Sequence, residues 1–219
     1  MYEMTGVDTL PDMSDPVDAQ SRNIADDDAG SVARCQRGDA EAFTILVRRH
    51  QKRMLNIAYR LIGDYDEACD VVQESFLSAW RAIGKFRGDA RFSTWLTGIV
   101  LNRARTHLAQ RASRPGSEGV SIDDPVMQVN QIPCPGLCAM NESTLQKIER
   151  QEIDARVQHC ISRLDNQQRE VLVLRDIQGF SYDEIGTMLK MPDGTIKSRL
   201  FRARNALKNC LRPLFGDLV

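Results

Sequence analysis

Apolar residues recur along most of this chain at intervals of three and four, the period of helices with one buried face. From about Ala40 to Leu61 the stripe is Phe43, Leu46, Val47, His50, Met54, Ile57, Ala58 and Leu61, and Gly63-Asp64 ends it. A second stripe, about Tyr65 to Ile83, carries Ala68, Val71, Val72, Phe76, Ala79 and Ile83. A third runs from about Ser93 to Arg111 through Trp95, Leu96, Ile99, Val100 and Leu108. Residues 31–37 fit either a short helix or a continuation of a disordered terminus. Periodicity stops over 112–144, where Pro115, Pro125, Pro133 and Pro135 fall, and that stretch reads as a flexible linker. It resumes near Leu145 with Ile148, Ile153, Val157, Ile161, Leu164, Val171, Leu172 and Leu174. No period-two run longer than a few residues interrupts the pattern. The expected fold is all-α: one helical domain over 31–111, a linker over 112–144, and a second helical domain over 145–219.

The second domain ends in a more specific signal. Ser181 followed three residues later by Glu184 is a capping box, and Ile185, Met188 and Leu189 give the short helix it starts an apolar side. Pro192-Asp193-Gly194 breaks the chain, and a second helix is expected from about Thr195 with Ile196, Leu200, Ala203 and Leu207 on one face. Its other positions hold Lys197, Arg199, Arg202, Arg204, Lys208 and Arg212, six cations with no acid among them from Gly194 to Arg212. A basic face can be merely solvated. After a tight turn of this kind it suits the DNA major groove, with early residues reaching base edges and arginines holding phosphates.

Charge sharpens the picture. Residues 1–30 carry eight acids and one base, so they read as an acidic, disordered tail, while the rest of the chain is net positive within an overall charge of −1. An acidic tail on a basic body fits a nucleic-acid binder. No apolar run is long enough for a membrane span, and the first thirty residues lack the pattern of a signal peptide, so the expected location is cytoplasmic, without membrane insertion. The six cysteines are therefore expected to be mostly reduced, with Cys69, Cys160 and Cys210 acting as small apolar residues on helices. Cys134 and Cys138, in the linker, are spaced for half a metal site or a redox pair, but no histidine is near them in sequence.

Two further groups stand out. Asp66, Asp70, Gln73 and Glu74 share one face of the second helix; alone, such a face reads as solvated surface. The segment that follows interleaves Phe86, Phe92 and Trp95 with Arg87, Arg91, Arg103, Arg105 and Arg111. Rings that stack unpaired bases among cations that follow phosphates are what single-stranded DNA requires. Trp95 fits the apolar stripe and is expected in the core, whereas Phe86 sits in a glycine-flanked loop.

These residues carry a resemblance. DYDEACDVVQESFLSAWRAIGKFRGDARFSTWLTGIVLNRARTHL resembles region 2 of bacterial sigma-70-family factors, and REVLVLRDIQGFSYDEIGTMLKMPDGTIKSRLFRAR resembles region 4. Two such regions in this order, with only a linker between, are similar to the extracytoplasmic-function (ECF) group. The resemblance implies that Asp66, Asp70, Gln73 and Glu74 dock on the clamp helices of the RNA polymerase β′ subunit. It implies that Phe86 and Asn102 hold a base flipped from the −10 element, with Arg103 and Arg105 on the adjacent backbone. It implies that Lys197, Ser198, Arg199, Phe201 and Arg202 read the −35 element. Lys197 stands where the resemblance leads one to expect arginine, and lysine lacks the planar fork.

The implied function is promoter recognition and duplex opening as part of RNA polymerase, by a protein that is monomeric when active and held in check by an anti-sigma factor. No nucleophile–base set, phosphate loop or metal cluster stands out, so neither enzymatic chemistry nor a cofactor is expected. Two other readings stay open at this point. One is a dimeric helix-turn-helix regulator; the other is a thiol sensor centred on Cys134 and Cys138. The acidic tail and the linker are both longer than the ECF minimum.

Overall fold

The computed structural model describes residues 28–113 and 144–215. The acidic tail up to residue 27, most of the linker, Cys134 and Cys138 lie outside them. Among the described residues there is no strand. The helices are α1 (Ala29–Gln36), α2 (Ala40–Ile62), α3 (Tyr65–Ala82), α4 (Phe92–Ala112), α5 (Thr144–Ser162), α6 (Asn166–Leu172), α7 (Tyr182–Leu189) and α8 (Asp193–Phe215).

Local chemistry sets the helix ends. The Asp39 carboxylate accepts from the amides of Glu41 and Ala42 at 2.9 and 3.1 Å, starting α2. The Ala42 amide first, and then the Arg34 guanidinium, hold that carboxyl below the usual carboxylate range. Gly63 ends α2 at φ 88°, a left-handed position that favours glycine, and Asp64 caps α3 through the Glu67 amide at 2.9 Å. Ala42, Leu46, His50, Met54, Ile57, Ala58 and Leu61 then form the buried side of α2, facing Ala68, Val71, Val72, Phe76 and Ala79 of α3.

The third stripe sits differently from the expectation. Phe92, Leu96, Val100, Leu101 and Ala104 are the deeply buried residues of α4, while Trp95, Ile99 and Leu108 are only half-buried. The reason is that α4 serves two neighbours. One side packs on α2 and α3, and Thr94, itself buried, donates to Glu184 of α7 at 3.1 Å. In the second unit Ile161, Leu164, Val171 to Leu174, Phe180, Ile185, Leu189, Ile196, Leu200 and Ala203 form the core. Ile153, expected in that core, is 45 % exposed.

The two units pack on each other through polar side chains in apolar surroundings. The Arg169 guanidinium donates to the Leu61 carbonyl of α2 at 2.7 Å, and to the Ile161, Ser162 and Leu164 carbonyls at and just past the end of α5. Gln158 of α5 donates to the Tyr59 and Arg60 carbonyls, and Arg60 returns a bond to Gln158 at 3.1 Å. Arg53 of α2 donates to the Gln178 carbonyl at 2.9 Å, with its guanidinium 4.2 Å over the Phe180 ring. Two of the cysteines expected as small apolar residues are instead paired. Cys160 of α5 is bonded to Cys210 of α8, with Cα atoms 5.8 Å apart. Periodicity puts each cysteine on an apolar face but does not say which faces meet. Cys35, buried, and Cys69, half-buried, are free thiols.

Candidate nucleic-acid interface

Asp66, Asp70, Gln73 and Glu74 are all exposed along α3. Their edge borders an apolar groove of about 470 Å³ lined by Ala40, Phe43, Val47, Phe76, Leu77 and Trp80, with Gln73 at its rim. Leu77 is 56 % exposed, and no sequence signal singled it out because it lies on the polar side of its helix. An apolar floor with a polar rim is the anatomy of a protein-docking surface. Glu74 also meets Arg103 across α3 and α4, Nη1 to Oε2 at 3.3 Å, and Arg103 donates to Ser78 Oγ at 2.8 Å. The sequence assigned those two residues to different partners; the fold makes them neighbours.

The loop after α3 is held from a distance. Gln36 of α1 donates its side-chain amide to the Phe86 carbonyl at 2.8 Å and the Ile83 carbonyl at 3.2 Å, aligning the chain where α3 gives way to a 3₁₀ turn over Ile83–Lys85. Phe86 packs with its ring centroid 5.0 Å from Trp95 and 6.1 Å from Phe92, edge-on to the latter. It therefore has the structural role that the sequence reserved for Trp95, and still faces outward in part. Phe86 and Asn102, sixteen residues apart, line one cleft of about 410 Å³ together with Lys85, Arg87 and Trp95. Thr187 and Met188 of α7 form part of its wall. Arg105 does not join this cleft. Its guanidinium is bound two-pronged to Glu170 of α6, at 2.6 and 2.7 Å, and that hydrogen bonding raises the Arg105 pKa further above its ordinary value.

The helix-turn-helix is α7 and α8. Ser181 and Glu184 make the expected capping box. The break falls earlier than expected: α7 ends at Lys190, in left-handed geometry at φ 55°, and Asp193 and Gly194 already belong to α8. The glycine that matters is Gly186. A Cβ there would lie 3.1 Å from the Met191 carbonyl, so any larger residue would push the turn back by a few tenths of an ångström, whereas Gly194 has open space around it. On α8, Ile196, Leu200 and Ala203 face the core, and Lys197, Ser198, Phe201 and Arg202 are exposed. Arg199 is half-buried against Met191. Phe201, 68 % exposed, has no packing role that would hold it there. Lys197 lies 5.4 Å over the Tyr182 ring, and Arg204 is fixed to Asp176 at 2.7 and 2.9 Å.

This geometry has counterparts among known proteins. Residues 46–114 match the family model for sigma-70 region 2, and residues 154–207 match that for sigma-70 region 4. The chain is 40 % identical to the RNA polymerase sigma-H factor of Pseudomonas aeruginosa, over 85 % of this chain and 94 % of that protein. It is 36 % identical to the ECF RNA polymerase sigma-E factor of Salmonella typhimurium, over 84 % and 93 %. The chain belongs to the ECF sigma factors of the sigma-70 family. Its solved structural neighbours include CnrH in complex with the cytosolic domain of CnrY (TM-score 0.61, 28 % identity, 87 % of this chain and 99 % of that one). They also include the sigma factor RpoE with the anti-sigma factor NepR from Bartonella quintana (TM-score 0.60, 25 % identity, 79 % and 98 %).

As an ECF sigma factor the protein binds core RNA polymerase and directs promoter recognition and DNA opening for transcription initiation. Sigma factors act on RNA polymerase in the cell interior. Among the described residues no helix is long and apolar enough to cross a membrane. Region 2 corresponds to α2 to α4 and region 4 to the chain from α5 into α8. The reading as a dimeric regulator without polymerase falls away, because it leaves the region 2 match without a purpose.

Proposed function

We propose the following division of labour within this sigma factor. Residues 31–111 form the unit that binds core polymerase and the −10 element, and 145–219 the unit that reads the −35 element. Asp66, Asp70, Gln73 and Glu74 meet the basic helices of the β′ clamp, and the apolar groove beside them seats a hydrophobic side chain of the same partner. Phe86 and Asn102 hold a flipped −10 base, one by stacking and the other through hydrogen bonds to its edge, which together offset an extrusion cost of a few kcal/mol. Arg103 holds the neighbouring backbone. Arg105 joins it once freed from Glu170. Lys197, Ser198, Arg199, Phe201 and Arg202 read the −35 element in the major groove, with Phe201 suited to a thymine methyl group.

The observation that carries this reading is the shared cleft of Phe86 and Asn102, an aromatic face and an amide converging on one base-sized space. The protein works in the cytoplasm as a monomer, performs no chemistry of its own and needs no cofactor. An anti-sigma factor holds it inactive, as part of a stress response. What supports this is the company of its structural neighbours, one of them a sigma factor bound to the anti-sigma factor NepR.

The test is co-elution of the purified protein with core RNA polymerase, followed by transcription from a library of promoter fragments. Stable co-elution with transcripts sharing −35 and −10 sequences is the expected result. Transcripts that ignore the −10 sequence of their templates, or that survive Phe86→Ala with Asn102→Ala unchanged, would sink the assignment of the cleft.

A further inference from the structure

We propose that Cys160 and Cys210 are a reversible thiol–disulfide pair, a redox-modifiable site in region 4 that a peroxide or a small disulfide closes and a small thiol reopens. The two residues are bonded between α5 and the C-terminal part of α8, 50 residues apart in sequence. The loop they close contains α7, the turn and most of α8 with its exposed row. A sigma factor acts in the cell interior, where glutathione and thioredoxin systems keep thiols reduced. A bridge there is a state that is entered and left rather than a standing part of the fold.

The surroundings suit such chemistry. Cys160 is 3 % exposed and Cys210 is half-buried, so a small reagent reaches the pair from the Cys210 side. Lys208 and Arg212 flank Cys210, Arg156 and Arg163 flank Cys160 at one turn on either side, and no acid lies between Gly194 and Arg212. The thiolate is the reactive form of either residue. With hydrogen peroxide as oxidant, the Cys210 thiolate attacks the O–O bond and becomes a sulfenic acid as one water leaves. The Cys160 thiol displaces a second water to form the S–S bond, so two thiols lose two electrons and peroxide gains them. With glutathione disulfide the same pair closes by two exchanges that release two glutathione thiols.

Position gives the bridge its consequence. Two residues before Cys160, Gln158 bonds the Tyr59 and Arg60 carbonyls of α2, and immediately after it the Ile161 and Ser162 carbonyls accept from Arg169. The bridge thus ties the α8 helix to the strip of α5 by which region 4 rests on region 2. Closed, it makes α5 and α8 one body. Open, the C-terminal turns of α8 lose their covalent tie to α5, beside a Leu207 that is only half-buried.

The measurement is thermal unfolding of the full chain after equilibration with hydrogen peroxide or with excess dithiothreitol, beside mass-spectrometric mapping of alkylated cysteines. The oxidised protein is expected to carry the 160–210 bridge and to melt about 10 °C above the reduced one, since closing a loop of this length restricts the unfolded chain. Cys210→Ser, at the half-buried position, is expected to abolish the difference without placing a hydroxyl in the core. Cys134→Ser with Cys138→Ser is expected to preserve it. The proposal is overturned if both thiols remain alkylatable after oxidation, or if Cys210→Ser retains the shift, which would assign it to other cysteines. Neither result bears on promoter recognition, which the transcription assay reads separately.

Discussion

Arg105 shows how a residue type can be legible while its partner is not. Its place among arginines and aromatics pointed to the DNA backbone, yet in the folded chain it closes on Glu170, a carboxylate whose side chain is 7 % exposed. The two ends of this pair are unequal, because the Arg105 side chain is 40 % exposed and can turn to water while Glu170 cannot. Arg105→Ala is therefore expected to destabilise the docked structure by about 3 kcal/mol, through an uncompensated buried charge. Glu170→Gln is expected to cost about 1 kcal/mol or less. Denaturant unfolding of the two variants checks this, and equal losses would mean that Glu170 is not held by Arg105 in solution. Glu170, Arg169, Arg175 and Gln158 were invisible to pattern reading for one reason. A polar residue is taken as exposed unless something names its partner, and these partners lie on other helices or, for Arg175, in the Phe180 loop that folds back on it.

Among the elements, α7 and α8 were the most legible, because a capping box and an uninterrupted basic row are local signals. The turn between them was misplaced by its own strongest letters. Pro192 and Gly194 read as the break, but a proline is tolerated just before a helix and a glycine inside its first turn, so α8 starts directly after Pro192 and takes in Gly194. The close approach is made at Gly186, where the Met191 amide also bonds the Gly186 carbonyl at 3.2 Å. Gly186→Ala would gain about 1 kcal/mol of helix propensity, but its methyl group would crowd the carbonyl of Met191, a residue whose amide is tied back to α7. A net loss of about 1 kcal/mol is expected, and a larger one of about 3 kcal/mol for Gly186→Val, with −35 duplex binding weakened in step. Thermal melting and a binding titration on the −35 duplex measure both. A more stable Gly186→Ala would show that the turn can give way.

At the scale of the whole molecule, the proposed assignment gives the acidic face of α3 and the basic row of α8 different partners, so that mutation separates them. Asp70→Ala with Glu74→Ala is expected to weaken core polymerase binding by about tenfold or more, as loss of two interfacial charges implies. Arg202→Ala is expected to leave core binding unchanged and to weaken −35 recognition by about tenfold, the scale of one good base contact. Co-elution and promoter-specific transcription read the two effects independently. Equal core binding by both variants would remove the acidic face from the polymerase interface. The packing of region 4 on region 2 adds a condition. On the proposed assignment of Phe86, Asn102 and Arg105, the wall that Thr187 and Met188 give the cleft and the hold of Glu170 on Arg105 would have to be released for the −10 element to bind.

The amino-acid sequence by itself determined the long helices, the capping box of α7, the order of the two sigma regions and the exposed polar faces of α3 and α8. All of these follow from the period of apolar positions and from side chains that bond their own backbone within a turn. Only the tertiary structure decided that Phe86 and Asn102 share a cleft, that Phe92 rather than Trp95 is the deepest ring of α4, and that Cys160 meets Cys210. Periodicity records which side of a helix avoids water. Which helix supplies the other side is settled by packing across tens of residues, where shape and buried polar pairing act together and leave no local trace.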